Sequence, residues 1–84
     1  MADLTDLERA VLDLAGRWYR HPGAREAAIR DELGLSGARF AQLLRGLLDR
    51  PEALAYAPAT VRRYQRLLVA QRVRRRGLER AAGG

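Results

Sequence analysis

The sequence has no cysteine and no lysine, and only one histidine, one tryptophan, one phenylalanine and one serine. Without cysteine there is no disulfide framework, no thiolate metal site and no cysteine nucleophile, and nothing reports the redox compartment. A single histidine, His21, excludes a multi-histidine metal site, and its place in Arg20-His21-Pro22-Gly23 reads as a surface turn. No apolar run approaches the ~18 residues that span a bilayer. The start Met1-Ala2-Asp3-Leu4 lacks the basic opening of a signal peptide, so the cytoplasm is the expected location.

These absences also weigh against an enzyme. A nucleophilic triad needs a hydroxyl or thiol beside a base, yet Ser36 serves better as a helix cap and His21 lies in a turn. Asp31 and Glu32 are adjacent helix positions about 100° apart, which an exposed helix face explains. No strand is expected, so no glycine-rich phosphate loop follows one. A chain of 84 residues buries about 60–65% of its unfolded surface, too little for a deep enclosed site. No cofactor and no metal are expected.

What is present is arginine. All sixteen basic residues are arginine and the net charge is +6. Up to Arg50 eight arginines face eight carboxylates; from Pro51 onward eight more face only Glu52 and Glu79. The excess sits in the last third, in the side chain best suited to bidentate phosphate contact. A GC-rich genome accounts for part of this bias.

The pattern predicts an all-α fold, a small helical bundle with an extended arginine-rich C-terminal helix. Thr5 and Glu8 form a capping-box pair opening a helix over 5–19. Its apolar stripe is Leu4, Leu7, Val11, Leu14 and Trp18, which places Trp18 in the core and leaves Tyr19 undecided. Leu12 and Tyr19 either close the core or form a seam between two copies of the chain. Helices follow over 24–33 and 37–50, and a short one over 51–55 should let Leu54 and Tyr56 cover the core. Pro58 suits the first position of a last helix. That helix is amphipathic through Gln71, with Val61, Tyr64, Leu67 and Leu68 opposite Arg62, Arg63 and Arg66. Beyond it Arg72, Arg74, Arg75 and Arg76 point in widely separated directions. The division expected is a helix-turn-helix domain over 3–71 and a basic tail over 72–84, solvent-exposed or disordered and ending in Gly83-Gly84.

The central motif is Leu33-Gly34-Leu35-Ser36-Gly37-Ala38-Arg39-Phe40-Ala41-Gln42-Leu43. Gly34 would take the left-handed conformation ending one helix. Leu35 would plug the space between two helices, and Ser36 would cap the next by accepting the Arg39 backbone N–H. An αα-corner in any small bundle has the same ingredients. On the following helix Phe40, Leu43, Leu44 and Leu47 share one side; Ala38, Gln42, Arg45 and Asp49 lie opposite, flanked by Arg39, Ala41 and Gly46. If the apolar side is buried, the other faces a major groove. Gln42 can pair with adenine, Arg39 or Arg45 with guanine or phosphate, and Ala38 or Ala41 can meet a thymine methyl. Arg39 and Arg45 serve equally well as salt-bridge partners of Asp49 or the carboxylates of the preceding helix.

Ile29, Leu33-Gly34-Leu35-Ser36, Arg39, Phe40, Gln42 and Leu43 resemble the helix-turn-helix of sigma-factor region 4 over about a quarter of the chain. The resemblance implies promoter binding through the second helix, with Gln42 at a base-touching position. Gly37, Ala38 and Ala41 depart from it, being small where long polar or basic side chains are expected. Nearly the whole chain resembles a family of small actinobacterial proteins of unknown function. Gly23-Ala24-Arg25-Glu26, Ala28-Ile29, Leu33-Gly34-Leu35-Ser36, Arg39-Phe40 and Asp49-Arg50-Pro51-Glu52-Ala53-Leu54-Ala55 carry this likeness, which implies a helix-turn-helix fold and an actinobacterial source.

The expectation is therefore a nucleoid-associated transcriptional regulator bound to double-stranded DNA. Ala38, Arg39, Ala41, Gln42 and Arg45 would face bases, and Arg62, Arg63, Arg66, Arg72, Arg74, Arg75 and Arg76 would grip phosphate. Two alternatives stand beside it: a module contacting the transcription machinery through the small face of Gly37, Ala38 and Ala41, and RNA binding through the basic tail.

Overall fold

The computed structural model describes residues 3–83, with side chains through Gly77. The helices are α1 (Asp6–Ala15), α2 (Pro22–Leu33), α3 (Gly37–Leu47), α4 (Pro51–Tyr56) and α5 (Pro58–Gly83). There is no strand among the described residues, and the fold is an all-α bundle. Of the terminal glycine pair, Gly84 lies outside the described residues and α5 runs through Gly83.

The helix boundaries follow from local chemistry. The Thr5 hydroxyl accepts the Glu8 N–H at 3.1 Å and the Glu8 carboxylate accepts the Thr5 N–H at 2.8 Å, so two orphan donors are satisfied reciprocally. α2 starts two residues before the expected Ala24, because Pro22 occupies its first turn and His21 is its N-cap, Nδ1 accepting the Ala24 N–H at 3.1 Å. Gly34 ends α2 at φ 66°, the left-handed region that a Cβ makes costly. Its N–H donates to Arg30 O at 2.9 Å, and the Ser36 hydroxyl then accepts the Arg39 N–H at 3.1 Å to start α3. α3 stops at Leu47 rather than Arg50, since Arg50 precedes Pro51 and is extended (φ −98°, ψ 126°).

α1 is central and packs against each of the other four helices. Val11, Leu12, Leu14 and Ala15 of α1 meet Ile29, Phe40, Leu44, Leu47, Leu48, Ala53 and Val61, all buried. Leu12 and Tyr19 both serve this core, Leu12 buried and Tyr19 packed against it.

Trp18 does not join them: it is 85% exposed. The stripe presumed a helix through residue 19, but α1 ends at Gly16, where a Cβ would come within 2.7 Å of Thr60 Oγ1 at the start of α5. Tyrosines bond carbonyls at that end, Tyr19 OH donating to Leu14 O at 2.8 Å beside the Arg17 N–H and Tyr64 OH donating to Ala15 O at 3.4 Å. Leu7, on the same stripe, is also exposed. In α4 the core is covered by the methyl of Ala53, not by Leu54 and Tyr56, which lie outside. The small side chain lets a six-residue helix sit close against its neighbours, and Tyr56 OH donates outward to the Asp13 carboxylate at 2.8 Å. That bond holds the Tyr56 hydroxyl above its ordinary range.

On α5, Val61 is buried while Tyr64 and Leu68 lean on the core; Leu67, expected with them, is exposed. Every residue from Val69 to Gly77 is exposed. The radius of gyration of 14.8 Å exceeds the about 12 Å of a compact domain of this length because the distal part of α5 projects. No helix among the described residues is long and apolar enough to cross a membrane.

Candidate nucleic-acid interface

α3 divides cleanly. Phe40, Leu44 and Leu47 are buried, while Ala38, Arg39, Ala41, Gln42 and Arg45 are all exposed. The exposed five are not one surface. Arg39 Nη1 donates to Gln42 Oε1 at 2.8 Å, joining two candidate base contacts on the outer line of the helix. Ala41 and Arg45 instead line a hollow shared with Leu67, Leu68 and Gln71 of α5. The salt bridges considered for Arg39 and Arg45 do not form among the described residues. At Gly37 an added Cβ would meet nothing within 4 Å, so the small-residue face is open.

α5 flanks this face. Gln65 Nε2 donates to Leu48 O at 2.9 Å and fixes the helix beside the end of α3. Farther along, Arg72 and Arg75 line a cleft with Arg45 and Asp49. Arg62 and Arg66 line a different hollow on α5 with Val69 and Ala70. Arg63 lies 6.0 Å from the Tyr64 ring centroid. The seven arginines proposed for phosphate thus occupy several faces of one helix, and Arg72 and Arg75 share a cleft with Arg45 of α3. No ion pair engages any of the seven among the described residues.

Arg17, Arg25 and Arg50 are structural. Arg25, which the sequence did not single out as a site residue, sits with its guanidinium 5.1 Å from the Phe40 ring centroid, and its Nη2 donates to Tyr64 OH at 3.3 Å. It bridges α2, α3 and α5, and no signal in the sequence pairs it with residues so distant. Arg17 makes a two-pronged pair with Glu32 at 2.7 and 2.9 Å, which holds the Glu32 carboxyl below its usual range. Arg50 pairs with Glu8 across the chain. Glu8 is also held low, first by the Thr5 backbone N–H, with burial opposing and Arg50 assisting.

Among the described residues no three metal-capable side chains converge. The arrangement offers donors and positive charge, which suits binding to a polyanion. No curated protein and no solved structure matches the chain. One family does match, over residues 3–77, from the segment before α1 through Arg76 of α5. The chain belongs to that family, DUF3263, described as proteins of unknown function.

Proposed function

We propose that this protein is a non-enzymatic binder of double-stranded DNA and a transcriptional regulator. α2, the Gly34 turn and α3 act as a helix-turn-helix, with α3 in the major groove. The observation that carries the reading is the split of α3, apolar residues inward and Ala38, Arg39 and Gln42 outward, beside a helix in which none of Arg62, Arg63, Arg66, Arg72, Arg74, Arg75 and Arg76 makes an ion pair among the described residues. Gln42 would read adenine N6 and N7, and Arg39 would contact guanine or phosphate once its bond to Gln42 yields. Arg45, at the α5 side, would share a strand with Arg72 and Arg75. Few long side chains on α3 mean modest specificity, with phosphate contacts supplying most of the affinity.

Selection from a random duplex library with the full chain tests this. An enriched motif supports sequence-specific regulation. Binding without enrichment reduces the protein to a structural DNA binder, and no binding overturns the reading. A contact with a protein of the transcription machinery is favoured in that last case by Val69 and Val73, exposed among the arginines of α5.

A further inference from the structure

Trp18, the one tryptophan of the chain, is 85% exposed. A ring of that size left in water forgoes the stabilisation its burial would give. It stands in a hollow where the segment between α1 and α2 meets α5, with Tyr19, Arg20 and His21 on one side and Arg63 and Tyr64 on the other. No carboxylate lines this hollow. Arg17, also on its rim, is held by Glu32, whereas Arg20 and Arg63 make no ion pair among the described residues.

The hollow therefore presents a flat π surface bordered by uncompensated cations. An acidic peptide would match the arginines and leave the indole wet, and an apolar helix would do the reverse. A nucleotide matches both, since its base has a π face and its phosphates carry the charge. Paired bases offer no free face in the middle of a duplex, so the ligand is an unpaired base. Arg25 and Tyr64 line this hollow and also the one holding Ala41 and Arg45, so the two adjoin. We propose that the hollow binds an unpaired nucleotide of single-stranded DNA, its base stacked on Trp18 and its flanking phosphates on Arg20 and Arg63. The choice of DNA over RNA rests on the reading of α3 as a DNA-contacting helix, through that adjacency; the stacking itself does not.

Because Trp18 is the only tryptophan, its emission reports the site directly. The full chain is titrated at low salt with a short oligothymidylate, and in parallel with a duplex of equal length, an oligouridylate and vesicles rich in phosphatidylglycerol. Saturable quenching by oligothymidylate is expected. Measured by the anisotropy of a fluorescently labelled oligothymidylate, which needs no tryptophan, Trp18→Ala should bind about 5- to 140-fold more weakly than the wild type, as for one lost stacked base, and Trp18→Phe should recover part of it. Trp18 is exposed, so both variants should melt with the wild type. Absence of quenching, or equal affinity of Trp18→Ala, overturns the proposal. Stronger quenching by oligouridylate or by vesicles assigns the site to RNA or a membrane surface and overturns it too. Duplex binding without oligothymidylate quenching leaves the α3 reading standing and removes the stacking site; quenching without duplex binding does the opposite.

Discussion

The sixteen arginines divide evenly between two regions of the chain and behave differently in each. Before Pro51, Arg9 pairs with Asp6, Arg17 with Glu32 and Arg50 with Glu8, while Arg25 covers Phe40 and Arg39 bonds Gln42. After it, seven have described side chains and none makes an ion pair; only Arg63 lies against a ring. Residue type is the same in both regions, and the supply of partners differs. Where a carboxylate or ring from another element engages it, as at Arg17, Arg25 and Arg50, arginine ties helices together; where no carboxylate pairs with it, the charge stays available to a polyanion.

The packed region breaks most severely at Phe40. Phe40→Ala should cost about 3–5 kcal/mol through lost burial and the cavity left between α1, α2 and α3. Chemical denaturation checks this, and an unchanged midpoint would mean that the core is elsewhere. The contrast between the two kinds of arginine sharpens with a pair of variants. Arg25→Ala should cost about 1 kcal/mol through its lost contact with the Phe40 ring, whereas Arg66→Ala should stay within about 0.5 kcal/mol. Equal losses would erase the distinction. Ser36→Ala should also cost about 1 kcal/mol, seen as a lower melting temperature, because one α3 N–H loses its acceptor.

A smaller effect appears in acid. Glu8 and Glu32 are held below the ordinary carboxylate value of 4.5, so what they contribute is complete above that pH and is lost as pH falls through their lowered values. The melting-temperature difference between wild type and Glu32→Gln should therefore shrink as pH drops below about 4. A gap that persists undiminished in strong acid would show that the Arg17–Glu32 pair is not its source.

How much of this was legible depended on reach along the chain. Thr5, Gly34, Ser36, Pro51 and Pro58 act on their own backbone or on neighbours a turn away, and each does what the sequence implies. Phe40 was legible because α3 carries a regular apolar stripe. Trp18 lies outside the core because the apolar spacing of the sequence continues past the point where the helix stops. What stops it is Gly16 against Thr60 and Tyr64 OH on Ala15 O, contacts between residues 44 and 49 positions apart. The outward face of α3 could be drawn from periodicity, yet the position of α5 beside Arg45, and the bridging by Arg25, belong to packing that no local pattern encodes.

Under the proposed function, Arg72, Arg74, Arg75 and Arg76, which make no ion pair among the described residues, hold nucleic-acid phosphate. Replacing Arg72, Arg74, Arg75 and Arg76 together by glutamine keeps the chain length and leaves the packed helices untouched, which circular dichroism verifies. Duplex affinity is then measured across a salt series for this variant and the wild type. Each phosphate contact adds about 0.9 to the magnitude of the slope of log affinity against log salt, so the variant should bind all duplexes more weakly, with the slope reduced by about two to four. Identical slopes for the two proteins would mean that these arginines hold no phosphate.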